Sequence, residues 1–174
     1  MTSDLQVDVY VAPAAPIGIK NEDPLKECFS PISCTLIQGP TSAVLVDTPA
    51  TNELSEGLAE WIKKTAPGKK LRFIYTTHAH ADHFLGNIII QRQFPEAKCV
   101  TTSKVADAIK QDLAPGGLAL WYQLFPDGQV PEGNTAPEAL PADGRFAIDE
   151  HDFFGIDVPQ GDIPASSFLH VPDL

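Results

Sequence analysis

An α/β fold with antiparallel components is predicted by three features of the chain. Two short apolar runs, Ile32 to Gln38 and Ala43 to Val46, flank Gly39-Pro40-Thr41 as the arms of a hairpin would. Helical and strand-like segments alternate after them. One of those strands, Leu71 to Thr76, runs directly into a turn that places His78, His80, Asp82 and His83 within six positions.

Taken in order, Leu5 to Val11 alternates as a strand, with Leu5, Val7, Val9 and Val11 on one face and Gln6, Asp8 and Tyr10 on the other. Pro13, Pro16 and Gly18 favour an irregular crossing before the hairpin. After Pro49, Thr51 or Asn52 can cap a helix whose Leu54, Leu58, Trp61 and Ile62 share one face, and Pro67-Gly68 stops it. Residues 83 to 94 suit a second helix, with Phe84, Ile88 and Phe94 inward and Gln91 and Arg92 outward. Ala97 to Thr101 reads as a strand, Lys104 to Leu113 as a helix, and Leu118 to Phe125 as a helical or irregular apolar segment. Prolines and glycines make Asp127 to Gly144 a surface excursion. Phe146 to Ile148, Phe154 to Val158 and Phe168 to Val171 are short strands, and the chain stops at Leu174 as if cut inside a fold.

His78 and His80 are two residues apart, so an extended backbone projects both to one side, toward a common ion. Asp82 continues the alternation and His83 is displaced by a turn, which lets this pair approach a second ion position. Imidazole and carboxylate are zinc ligands, and a catalytic zinc keeps an open position for a water that it acidifies toward neutrality. The chemistry expected of such a patch is hydrolysis by metal-bound hydroxide. Histidines in a turn can also cap elements without binding any ion.

The pattern His78-Ala-His80-Ala-Asp82-His83 resembles the HxHxDH signature of the metallo-β-lactamase superfamily, and Thr41 to Pro49 resembles its hairpin ending in a structural Asp, here Asp47. The resemblance implies an αβ/βα sandwich of two mixed sheets packed between helices, of which these 174 residues span the amino-terminal portion. It further implies that His78 and His80 help hold a first zinc. Asp82 and His83 would serve a second zinc or orient the nucleophilic water, which makes Asp82 the catalytic candidate. One or two zinc ions would be the cofactor, and a small molecule bearing an ester, lactone, thioester or amide the substrate.

Departures from the pattern accompany the likeness. The family's third ligand to the first zinc is a His in a later loop, where Val158-Pro-Gln160-Gly-Asp162 offers Gln160. A bridging Asp and a final His would fall beyond Leu174. His170 resembles the His of a structural HVP-like segment, and His151, within Asp149-Glu-His-Asp152, reads as a solvated turn residue. Three functional readings follow: a zinc hydrolase, an inactive remnant or interaction module, and an enzyme completed by a second fragment or protomer. An incomplete sandwich also predicts apolar sheet area left open to water.

Composition narrows the partners. With 12 Lys+Arg against 23 Asp+Glu and a net charge of -11, neither nucleic acid nor an anionic membrane is an expected partner. Cys28, Cys34 and Cys99 form neither an even disulfide set nor a CxxC motif, which with the absence of a signal-like start points to the cytoplasm. There is no phosphate loop, dinucleotide fingerprint or G-x-S-x-G turn. Ser166 and Ser167 therefore read as hydroxyls flanking a strand, and Cys99, Trp61 and Trp121-Tyr122 as packing residues.

Overall fold

A computed structural model describes residues 4–23 and 27–174. Its main sheet has six strands in the order β1-β4-β5-β6-β7-β8: β1 Gln6–Val11, β4 Ser33–Gln38, β5 Ser42–Val46, β6 Lys70–Tyr75, β7 Lys98–Thr101 and β8 Glu138–Ala139. The first three pair antiparallel, and β5 through β8 run parallel. A second, antiparallel sheet has the order β11-β10-β9, from β9 Arg145–Ile148, β10 His151–Val158 and β11 Ser166–His170. A two-stranded ribbon, β2 Ala15–Pro16 with β3 Cys28–Phe29, fills the crossing before the hairpin.

Parallel strands need crossovers, and the helices supply them. Helix α1 (Asn52–Thr65) joins β5 to β6, α2 (Asn87–Gln93) joins β6 to β7, and α3 (Ser103–Asp112) with α4 (Ala119–Leu124) lie between β7 and β8. Thr51 caps α1, its side chain accepting from Leu54 N, and Thr102 caps α3 by accepting from Val105 N. Leu58, Ala59 and Ile62 of α1 and Ile90 of α2 pack on Leu36, Leu45 and Ile74 along one face of the main sheet. On the opposite face Ile37, Val44, Tyr75 and Val100 meet Phe146, Ile148 and Phe153 of the second sheet. The layers are thus helix, sheet, sheet.

Several elements differ from the sequence expectation. The segment predicted as one helix over 83 to 94 is split: Ala81–His83 forms a 3₁₀ turn and α2 begins only at Asn87, after Gly86. The backbone leaves the helical region at Phe84 (φ -137°, ψ -18°), and Gly86, already back in it, passes so close to Pro49 O and Ser55 Oγ that a Cβ would strike both. The later start shifts the phase, burying Ile89 and Ile90 in place of Ile88. The excursion after Asp127 contains the short strand β8. Trp121 packs as expected, against Phe29 and Phe125, whereas Tyr122 stands exposed.

The acidic turn is not free in water. Asp149, in the left-handed region at φ 48°, accepts from Thr41 N, Thr41 Oγ1 and Ser42 N and so closes the β4–β5 hairpin from the second sheet. Partial burial pushes its carboxyl up, but the Thr41 and Ser42 donors outweigh that and hold it below the usual carboxylate range.

Open apolar area is present where the layers stop. The second sheet covers β4 to β7 but not the edge strand β1, so Val7, Val9 and Val11 are 45%, 56% and 59% exposed while Tyr10 turns to Trp61 on the helix side. Ile156 and Phe168, opposite each other across β10 and β11, are exposed as well.

His151 lies at the start of β10 and clasps two distant segments. Its Nδ1 reaches Asp173 Oδ2 and its Nε2 reaches Asp4 Oδ1, each at 2.6 Å. Two carboxylate partners require both nitrogens to carry protons, and the Asp173 bond leads in raising the imidazole above its usual range, with Asp4 adding to it. A raised folded value means the clasp stabilises fully below the unfolded value of about 6.5 and fades as pH rises through the folded one. In His151→Ala, thermal unfolding should therefore fall by about 1 kcal/mol or less at pH 6, as for partly exposed pairs, and converge with the parent chain at alkaline pH. A deficit that is the same at both ends of the pH scale would refute the clasp.

Candidate metal centre

The site lies where the parallel strands β5, β6 and β7 end, the usual mouth of an open α/β sheet. Asp47 follows β5 with φ 63°, a left-handed conformation that Asp tolerates because its short side chain can bond locally. That turn sends its carboxylate under the loop after β6. Asp47 N donates to Tyr75 O at 2.9 Å, tying the two strand ends together. The loop is held from below by Thr101 Oγ1, which donates to Thr76 O at 2.6 Å, and by Asn87, which bridges Thr76 and Thr48.

Asp47 is buried and accepts three hydrogen bonds. Thr77 N donates to Oδ1 at 2.8 Å, Thr77 Oγ1 donates to Oδ2 at 2.8 Å, and His83 Nδ1 lies 2.9 Å from Oδ2. Because the Thr77 hydroxyl gives its proton to Asp47, it can only accept from His78 Nδ1, 2.9 Å away. His78 is thereby fixed as the Nδ1–H tautomer, with a lone pair on Nε2. This is the support that metal-binding imidazoles commonly receive through their other nitrogen.

His78 Nε2 is buried and has no hydrogen-bond partner among the described residues. Burial, with His83 beside it, lowers the His78 pKa, so the ring is neutral at pH 7. For His83 burial works the same way, but the Asp47 bond and the nearby carboxylates outweigh it and raise the pKa. The imidazoles of His78 and His83 lie 4.0 Å apart between centroids, and those of His78 and His80 lie 5.1 Å apart.

Two sets of three groups could hold a cation, each with its ligand atoms within 4.8 Å of one another: Asp47, His78 and His83, and His78, His80 and Asp162. His78 belongs to both. Of the four residues predicted, His78 and His80 lie together in one set, whereas His83 joins His78 and Asp47 rather than pairing with Asp82. Asp82 joins neither set; its Oδ2 stands 3.6 Å from His83 Nε2, and its side chain lines a narrow cleft with Pro49, Leu54 and Phe125. Gln160 does not reach the cluster either, its amide instead donating to Gly161 O at 3.2 Å. The side chain from that loop that meets the imidazoles is Asp162, with Oδ2 2.8 Å from His80 Nδ1 and 3.6 Å from His78 Nε2.

Asp162 and Thr77 were the residues that the sequence pattern did not single out. A signal for Asp162 existed, since it is the sole ionisable group in the loop Pro159–Ala165, and carboxylate is a better ligand than amide. Nothing local marks Thr77. His170 is exposed on β11, tilted against Phe154, and remote from the ligand candidates in both sets. Ser167 Oγ bonds Tyr75 Oη at 2.7 Å and donates to Thr77 O at 2.8 Å, so this hydroxyl braces the site from β11.

The model of the metallo-beta-lactamase superfamily matches residues 29–171. The chain belongs to that superfamily. Solved structures share the fold: a metallo-beta-lactamase from Pontibacter korlensis is 19% identical with a TM-score of 0.62, covering 99% of this chain and 65% of its own. A HARLDQ motif mutant of a metallo-beta-lactamase from Cronobacter sakazakii is 20% identical (TM-score 0.60), covering 80% of this chain and 52% of its own. BJP-1, a subclass B3 metallo-beta-lactamase of Bradyrhizobium japonicum, is 19% identical (TM-score 0.58), covering 80% and 50%. The chain thus spans about half the length of most of these superfamily structures. No curated protein sequence matches.

Removing the Asp47 carboxylate leaves two donors and an imidazole without their buried acceptor. Asp47→Ala should cost about 3 kcal/mol in urea unfolding, since a bond to a charged group contributes roughly 1.5–3 kcal/mol. A loss below about 0.5 kcal/mol, the scale of an ordinary surface change, would mean that Asp47 does not organise the site.

Proposed function

We propose that the chain carries the metal-binding part of a zinc-dependent hydrolase that acts on a small-molecule ester, lactone, thioester or amide. The observation that carries this reading is the buried, unpartnered Nε2 of His78, facing imidazoles and carboxylates in a donor set that suits a divalent cation. A buried polar atom without a partner is costly, and a cation at this position would satisfy it.

When bound, zinc supplies a Lewis acid that acidifies water and polarises a carbonyl. The chain's own residues supply the rest. Thr77 presents the His78 lone pair, and Asp47 fixes the ring of His83. Asp82, with Oδ2 beside His83 Nε2, is assigned to orient the attacking water and to take its proton. Ala79 and Ala81 of the turn, with Phe84 and Leu85 after it, are buried in one apolar cluster that anchors the turn.

Some of the similar structures are named as beta-lactamases, and amides fall within the proposed substrate class; a shared scaffold does not choose among substrates. The three cysteines, none of them in a disulfide, support the cytoplasm as its compartment. Among the described residues, no helix is long and apolar enough to cross a membrane. The open valine face of β1 and the exposed Ile156 and Phe168 suit a protein partner, which favours a second reading in which another fragment or protomer completes the enzyme, and serves equally an interaction module without activity.

Zinc content and melting temperature, compared between the parent chain and a His78→Ala/His80→Ala double variant, test the proposal. The parent should retain zinc, and at a hundredfold excess over Kd the ion adds about 2.7 kcal/mol, roughly 5–10 °C for a domain of this size. The double variant should show neither effect, and p-nitrophenyl ester hydrolysis should disappear with the zinc. Negligible zinc in both proteins would remove the reading.

A further inference from the structure

We propose that Asp162 is the third protein ligand of the cation held by His78 and His80, in the place that the sequence pattern assigned to Gln160. The inference deepens the zinc reading and rests on it. Asp162 Oδ2 approaches both imidazoles, at 2.8 Å from His80 Nδ1 and 3.6 Å from His78 Nε2. The Nε2 lone pair needs a donor or a cation, and a carboxylate, itself only an acceptor, leaves it unsatisfied. These two imidazole nitrogens and one carboxylate oxygen lie within 4.8 Å of one another, near enough to share one cation.

The loop that brings Asp162 here is anchored at its exit. Ser166 forms an isolated bridge with His78, and its hydroxyl donates to Ile163 O at 2.6 Å, so the chain next to Asp162 is pinned beside the first imidazole. Gly161 lies against Ser166, where a Cβ would meet both its Cβ and its Oγ, so the loop packs closely on the residue bridged to His78. Gln160 is on the outer limb of the same turn, its amide engaged with its own backbone.

Two imidazoles and a carboxylate form a donor set that zinc uses in catalytic sites with an open position, and that suits other first-row divalent ions as well. The ligand class is accordingly a divalent first-row cation. The Asp162 side chain is 67% exposed, so a cation held there would be within reach of water and substrate. The competing account is a plain ion pair between Asp162 and a protonated His80, in which case cation affinity would not depend on the carboxylate.

Titration of the full chain with Co²⁺, read by visible absorption and by competition with a chelator, separates the two. The parent should take up Co²⁺, and Asp162→Ala should weaken binding by at least about 10–100-fold, the range seen when groups that merely support metal ligands are removed. Its visible band should shift as a donor is lost, Gln160→Ala should change neither readout, and His78→Ala/His80→Ala should abolish uptake. Because Asp162 is exposed, the variant should keep its far-UV circular dichroism. Parental affinity in Asp162→Ala, with binding lost in the double histidine variant, would overturn the Asp162 assignment and leave the zinc reading standing. No uptake by the parent, or equal uptake by every variant, would overturn both.

Discussion

The buried carboxylate of Asp47 is the constraint on which the site depends. A charge in the interior is tolerated only when its oxygens are satisfied, and here a backbone N–H, a hydroxyl and an imidazole satisfy them. Each of those donors belongs to the loop after β6, so stabilising the charge and shaping the loop are one event. Through Thr77 the constraint passes to His78, setting which nitrogen holds the proton and which is left with a lone pair. The left-handed backbone at Asp47 brings the carboxylate within reach.

Packing explains why the arrangement can persist. Parallel pairing of β5, β6 and β7 brings Asp47, His78 and Thr102 to the same end of the sheet. Beneath the loop, buried Phe84, Leu85, Val105 and Ile109 form an apolar floor, and the antiparallel second sheet delivers Ser166 and Ser167 against it from the other layer. The site is therefore assembled from four separate stretches of chain, after β5, β6 and β7 and at the start of β11. Its geometry is a property of the folded layers rather than of the His-rich turn alone.

Much of this was legible in the sequence. The hairpin around Gly39-Pro40, the capped helix after Thr51, the strand leading into the histidines and the convergence of His78 with His80 follow from period, turn chemistry and spacing, all of them local signals. The break at Phe84 before α2 was not legible, because its surroundings are tertiary: Gly86, which opens α2, packs against Ser55 and Pro49 from 31 and 37 positions earlier in the chain. The same holds for Asp149, whose polar surroundings read as a solvated turn but whose partners Thr41 and Ser42 lie across the two sheets. Asp162 in place of Gln160 depends on how one loop folds back at Gly161, which residue spacing does not encode. Superfamily membership was visible in the HxHxDH spacing, whereas the part each ligand plays depends on contacts between distant segments.

The zinc reading stands or falls on whether His78 and His80 gather around one ion in the folded chain. X-ray absorption at the zinc edge, on protein reconstituted with one equivalent of zinc, measures that directly. A first shell of nitrogen and oxygen at about 2.0–2.1 Å is expected, with outer-shell scattering from two imidazole rings and no sulfur. A spectrum of zinc surrounded by water alone, without imidazole scattering, would contradict it.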